Sequence, residues 1–482
     1  MGFPQQSAVF CVHMTRIDFK TKNLYGMIGM GDAIVYCFIG TFLLFFLTTV
    51  AHIPPAIAGT IAAIGSVWDV VSSSLVGYLS DNCRSRFGRR KPFVMAGAFP
   101  LGVATALLFT TVHLPQPARI AYYMIVLLIV WGAFCVFYVP YLAWGAELTQ
   151  DYDERTSLRG YVYVYNTLGG AIGTILPTVI VDALMQVGRS QEGSWQAVGI
   201  FCGIVTALVI FIGGWGIRQE PAGEEEEKVK KPAGRTGLGV LADIIRNYWE
   251  ILHLRSARCI ILASIFYLLA NTMISSDRMY FYTYNLQLPA WTISAVMAFQ
   301  TFISVIFVPV LVRLTKRFDK RTMFLAGMGI STAVSVFFGL AGIPNAGQMI
   351  VYSFFISIGS ICYWQLIAAM VYDVCEDDQL TNSKERSGMV ISMQSISESF
   401  AEAVGLQILG IILGAAGFDG AAASQTGTAL LWTHLSLTIL PAGFMILTLI
   451  CIWRYPITKQ VYYRILQALE ERRQAEEEGE KV

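Results

Sequence analysis

The sequence predicts an all-α polytopic membrane protein with twelve transmembrane helices in two six-helix bundles. Three observations carry this. Of 482 residues, 55% are hydrophobic and 14% charged, with a mean hydropathy of +0.56; soluble domains hold about 25% charged residues. Apolar runs of the ~20 residues needed to cross a hydrocarbon core recur twelve times. One long polar interval divides them six and six.

The runs begin near Leu24, Ala56, Pro92, Ile120, Gly160 and Ala197, then near Cys259, Trp291, Thr322, Gln348, Gly388 and Leu431. This organisation gives an N-terminal segment 1–23, a bundle 24–217, a central loop 218–258, a second bundle 259–454 and a tail 455–482. Basic residues set the orientation. They fill alternate connections, with Arg84, Arg86, Arg89, Arg90 and Lys91 after the second run and Arg313, Lys316, Arg317, Lys320 and Arg321 after the eighth. Both termini and the central loop share the bias, whereas the other connections hold only Arg119 and Arg189. Lys and Arg concentrate in cytoplasmic loops, so the chain is expected in the plasma (cell inner) membrane with both termini cytoplasmic. The front of the central loop, with Pro221 and the run Glu224–Glu227, reads as a linker. Its back half spaces Leu238, Leu241, Ile244, Ile245, Trp249 and Leu252 as the apolar face of a helix on the membrane surface or against the bundle. Ile465, Leu466 and Leu469 repeat that style in the tail.

Composition excludes other classes. A net charge of +1 provides no basic surface for nucleic acid. The nine cysteines are scattered through apolar runs without metal spacing and read as small hydrophobes. The five histidines form neither HExxH nor a nucleophile triad. The N-terminus lacks the apolar core of a cleavable signal. The expectation is therefore not an enzyme, with no cofactor and no fixed metal. It is a monomer whose partners are a small solute and the bilayer.

The stretch Trp68–Lys91 organises the rest. Asp69 stands about thirteen residues into the second run, ~20 Å along a helix at 1.5 Å per residue, near mid-membrane. An ionisable group at that depth is costly and points to a functional site. Ser72 and Ser73 share its face by i, i+3 and i, i+4 spacing. Either the three ligate a transient Na+, or the carboxylate alone carries a proton. Gly77, Asp81, Arg84, Arg86, Gly88, Arg89 and Arg90 follow at the membrane exit. Glu147, Asp153, Glu154 and Arg155 leave the fourth run similarly, and Lys384 and Arg386 leave the tenth. Opposite charges on neighbouring helix ends suit a gate that latches and releases, against the plainer reading of solvated surface pairs.

The two halves echo each other. SDNCRSRFGRRKPF after the second run is answered by LTKRFDKRTMF after the eighth. PYLAWGAELTQDYDERTSLRG is answered by WQLIAAMVYDVCEDDQLTNSKERSG. Parallel repeats describe two bundles that rock about a midplane site. Through GYLSDNCRSRFGRRKP the chain resembles the major facilitator superfamily. Through PYLAWGAELTQDYDERTSLRG, Lys384-Glu385-Arg386 and the RYPITKQVYYRILQALEERR tail, it resembles the glycoside–pentoside–hexuronide:cation symporters, the melibiose permease group. The resemblance spans nearly the whole chain and implies the major facilitator fold and H+- or Na+-coupled uptake of a sugar-like solute. Family positions that hold a second helix 2 aspartate, a helix 4 aspartate, a helix 5 arginine and a helix 11 lysine fall on Ser73, Tyr138, Tyr163 and Ser399. The family's helix 1 aspartate falls one residue from Asp32, and its helix 10 tryptophan is retained as Trp364, beside Gln365.

Further candidates follow from polar residues inside apolar runs. Gln394, Glu398 and Glu402 form an i, i+4, i+8 stripe, and two carboxylates one turn apart do not both ionise readily in low dielectric. Arg278, beside Asp277, is one candidate mate. Asp32 follows Gly-Met-Gly, and Tyr138, Tyr141, Tyr163 and Asn166 lie in an aromatic-rich region of the fourth and fifth runs. Aromatic faces with a few amides suit sugars; core packing and a structural polar seam are the competing readings. A carrier of a lipid-like or aromatic solute and a non-transporting sensor are the alternatives to sugar uptake.

Overall fold

Apolar runs of this length become helices because lipid offers no partner to a free backbone N–H or C=O. The computed structural model describes residues 17–81, 83, 85, 88–148, 152–217, 246–382, 386–422 and 424–479. The first half comprises α1 (Phe19–Phe45), α2 (Pro55–Asp81), α3 (Lys91–Leu108), α4 (Gln116–Glu147), α5 (Tyr152–Gln186) and α6 (Gln191–Gly216). A short helix, α7, spans 246–253. The second half comprises α8 (Arg255–Tyr280), α9 (Ala290–Arg317), α10 (Lys320–Ala341), α11 (Ala346–Asn382), α12 (Ser387–Ala415), α13 (Gly427–Leu437) and α14 (Ile439–Trp453). The tail forms α15 (Lys459–Gly479).

Among the described residues, twelve spans are long and apolar enough to cross a membrane, and each begins within a few residues of its predicted start. The last is not one helix. It breaks at Thr438 between α13 and α14, and the freed carbonyls find side-chain donors. Tyr352 donates to Leu437 O at 2.7 Å and Ser335 to Thr438 O at 2.9 Å. Such re-satisfaction is what permits a broken helix at membrane depth.

The two halves meet on the side away from the termini. There Thr48 and Tyr280 share a 2.7 Å hydrogen bond, Ser276 donates to Gly40 O at 3.3 Å, and Thr178 pairs with Ser294 at 2.6 Å. A Cβ on Gly59 of α2 would lie 2.9 Å from Leu406 O, and one on Gly410 of α12 2.6 Å from Pro55 O. Only glycine lets these two backbones approach so closely. On the side of the termini, the hydrogen bonds and ion pairs between described residues stay within one half or join α7 and α15 to the second half. Examples are Lys22–Glu154 at 2.8 Å, Arg90–Ser80 at 2.9 Å and Lys320–Asp373 at 2.7 Å. The contacts between the halves among the described residues thus concentrate at the end away from the termini.

The central loop's expected apolar face is described in part, with Leu252 half-buried against the core. Leu238, Leu241, Ile244 and Ile245 lie outside the described residues, and in α7 it is Ile251 that is fully buried, while Trp249 is 65% exposed. Arg386 fixes the roll of this helix by donating to Asn247 at 3.0 Å and Glu250 at 2.7 Å. That polar anchor sets which face looks inward. In α15, Ile465 and Leu469 are buried and Leu466 is exposed at the edge of the same face.

Candidate functional site

Asp69 is half-buried on α2 and meets α4. The Cys135 thiol donates to Asp69 Oδ1 at 3.0 Å. Ser72 is buried against the same cysteine, its Oγ 3.2 Å from Cys135 Sγ, but its proton goes to Trp68 O at 2.7 Å. Ser73 donates to Val70 O at 2.9 Å. The shared face is real, yet the hydroxyls bond their own helix and not the carboxylate. Ser and Thr in apolar helices satisfy themselves in this way when no better partner is in reach. Cys135 was missed because a lone cysteine in an apolar run carries no polar signal.

The α12 stripe divides. Gln394 donates to Ser264 at 2.7 Å and to Glu398 Oε1 at 3.1 Å, within the second half. Glu402, one turn on, instead accepts a hydrogen bond from Tyr36 of α1 and so links the halves. Neither carboxylate pairs with Arg278, which corrects that expectation. Trp364, Gln394 and Glu398 line a cavity of about 220 Å³ between α11 and α12, floored by Tyr363. Gln365 is half-buried on α11 and is not part of that wall.

A second cavity, about 290 Å³, lies between the halves. Cys37, Tyr163, Thr167 and Thr174 face it from α1 and α5; Asn271 and Arg278 of α8 and Gln300 of α9 face it from the other side. Tyr163 is thus placed as a lining aromatic. Arg278 Nη1 donates to Gln300 Oε1 at 2.8 Å and Nε to Ser275 O at 3.1 Å. Asp277, its neighbour in sequence, points the opposite way and accepts from Ser436 at 2.9 Å. Consecutive helical residues are about 100° apart, so this divergence follows from helix geometry.

The remaining candidates of the first half form a seam of α1, α4 and α5. Tyr141 is fully buried and stacked on Tyr25 at 4.5 Å between ring centroids. Its hydroxyl and Asn166 Oδ1 are both buried without a hydrogen-bond partner among the described residues, and both crowd Gly29. Tyr138 stacks on Phe134 at 5.1 Å. Asp32 is half-buried and accepts no hydrogen bond among the described residues. Tyr141 therefore packs and does not line either cavity, a correction to its grouping with Tyr163. Its ring sits on α4's inner face, where sequence alone cannot separate core from cavity.

At the terminal side, Arg84, Arg86 and Lys384, and the side chains of Asp81, Glu147, Asp153 and Arg155, lie outside the described residues. Glu154 binds Lys22 and accepts from Ile17 N at 3.2 Å. Gly88 turns the chain between α2 and α3 at φ +91°, a conformation that favours glycine. Gly77 has no such need, since a Cβ there would sit 3.7 Å from Val139. Arg89 is half-buried and Arg90 buried. Arg386 holds Asp378 bidentately at 2.8 and 3.0 Å. The Asp378 carboxylate, with Glu250 beside it, pushes the Arg386 guanidinium above its ordinary pKa against the opposing effect of burial. Arg386→Ala would leave the Asp378 carboxylate, 1% exposed, with the Asn382 amide but no counter-charge. The expected cost is about 3–5 kcal/mol, read as a lowered unfolding temperature in detergent that Asp378→Asn in the same chain partly restores.

Twelve spans in two halves, with a polar cavity between them, define a solute carrier of the major facilitator class. The chain belongs to the MFS/sugar transport protein family, whose model matches residues 24–459. It is 24% identical over 95% of its length to the uncharacterized symporter YnaJ of Bacillus subtilis, covering 96% of that protein. It is 23% identical to the isoprimeverose transporter of Lactiplantibacillus pentosus, with 86% of this chain and 84% of that one aligned. The inward-open xylose transporter XylE of E. coli shares the fold, at a TM-score of 0.60 and 15% identity over 93% of this chain and 98% of that one.

Proposed function

We propose that the protein takes up a sugar or glycoside by cation symport, and that Asp69 carries the coupling ion. The observation that carries the reading is the cavity between the halves, with an aromatic ring, amides and hydroxyls converging on it from both sides. That mixture suits a solute with apolar C–H faces and hydroxyl edges. Family membership and sugar-transporting relatives support the same substrate class.

The ion is H+ in this reading. Na+ prefers several hard oxygen ligands, whereas the side chain bonded to Asp69 is a soft thiol and neither serine hydroxyl bonds the carboxylate. A single carboxylate needs no further ligand to bind a proton. With the termini cytoplasmic by the basic-residue asymmetry, the end at which the halves touch faces outward. The structure is then the inward-facing member of an alternating-access pair.

Purified protein in liposomes tests this. An imposed inward H+ gradient is expected to drive accumulation of a labelled glycoside, and a Na+ gradient at fixed pH to add nothing. Accumulation driven by Na+ alone would reverse the ion assignment; no flux of any sugar would reject the substrate class.

A further inference from the structure

We propose that the solute carries an anionic group and that Arg278 of α8 is its seat; this rests on the glycoside reading above and narrows it. Among the described residues, Arg278 is the one charged residue on the wall of the 290 Å³ cavity between the halves. Both hydrogen bonds it makes among the described residues go to neutral acceptors, Ser275 O and Gln300 Oε1. A guanidinium has five N–H donors, so three, including both on Nη2, remain for a ligand.

No carboxylate of the membrane interior among the described residues answers it. Asp277 is turned to Ser436, Asp69 to Cys135, Glu398 to Gln394 and Glu402 to Tyr36. Asp32 forms no ion pair with it. Arginine does not shed its proton inside a protein, and an unpaired charge at this depth is costly. A counter-charge arriving with the solute removes that cost, and its removal is a binding energy that a neutral sugar cannot supply.

Ser275 O takes the Nε hydrogen and Gln300 Oε1 one hydrogen of Nη1, so both hydrogens of Nη2 and the second of Nη1 are left to an anion. Asn271, Thr174 and Tyr163 surround the remaining volume with amide, hydroxyl and aromatic contacts. That volume lies at the small end of ligand pockets and fits one sugar ring bearing a carboxylate or phosphate. Because α5 and α8 belong to different halves, an occupant held on Arg278 touches both.

Binding to protein in nanodiscs, with methyl hexuronides, the matching methyl hexosides, hexose phosphates and benzoate as probes, tests the assignment. An anionic sugar is expected to bind at least about tenfold tighter than its neutral match. Arg278→Gln is expected to bring that ratio near one. Arg278→Lys keeps the charge without the fork and is expected to give an intermediate ratio, which carries the test if the glutamine variant does not fold. Preference for uronides or for phosphates identifies the anion, and either supports the seat.

Equal affinity within each matched pair, or a preference that survives Arg278→Gln, overturns the seat while leaving the sugar reading intact. Arg278-dependent binding of benzoate with no sugar bound rejects the sugar reading and retains the seat. Silence of every probe rejects both.

Discussion

Asp69→Asn is expected to abolish uphill accumulation while leaving counterflow of the same solute. Asparagine keeps the volume and the contact with Cys135, so the α2–α4 packing survives. It cannot exchange a proton, so the gradient loses its handle on the rocking of the halves. Accumulation should fall to the external level, whereas exchange of labelled for unlabelled solute needs no net ion movement and should continue. Asp69→Glu retains a titratable group and should recover part of the accumulation. Uphill transport at the original level in the asparagine variant would remove Asp69 from coupling. Loss of counterflow as well would assign it to folding or to the solute site.

The second large effect is expected at the end where the halves touch. Gly59→Val adds a branched side chain where even a Cβ would lie 2.9 Å from Leu406 O. The obstacle is backbone on the opposite half, which no rotamer change relieves. Overpacking of this kind costs about 1–3 kcal/mol, and here the cost falls on the conformation in which α2 and α12 touch. A bias of that size shifts a two-state ratio by roughly 5- to 150-fold. The variant should favour the conformation open on that side, and uptake should fall by a similar factor. Spin labels at Ala56 and Ala415 should report a longer distance than in the parent protein. An unchanged distance distribution would show that this contact does not hold the halves together there.

Much of the fold was legible because lipid makes a harsh demand on sequence. A span must be apolar for about 20 residues, so spans announce themselves, and basic residues mark alternate connections. The break at Thr438 was not legible. Its apolar run is continuous, and the donors that permit the break, Tyr352 and Ser335, come from α11 and α10. Which face of α7 packs inward was not legible for a related reason. Its roll is fixed by Arg386, more than a hundred residues away in sequence.

The site shows the same division. Asp69, the carboxylates of α12 and Tyr163 were visible because polar and aromatic groups stand out against an apolar background. Their partners were not. Cys135 is silent in composition, and Tyr36 is one aromatic among many until α1 and α12 bring it to Glu402. Arg278 was visible as a charge but was given the wrong companion, since helix phase places Asp277 and Arg278 on different faces and tertiary packing decides what each face meets.

The sequence by itself determined the class of solvent around this chain, the number and order of its spans, its twofold internal repeat and the short set of buried charges. Those properties follow from local composition and spacing. Tertiary structure alone decided which buried charge met which partner, that the halves meet at one end, and that Arg278 faces an open cavity between them. Those depend on the rotation and approach of helices far apart in the chain, where a glycine opposite a carbonyl or a thiol beside a carboxylate outweighs any local pattern.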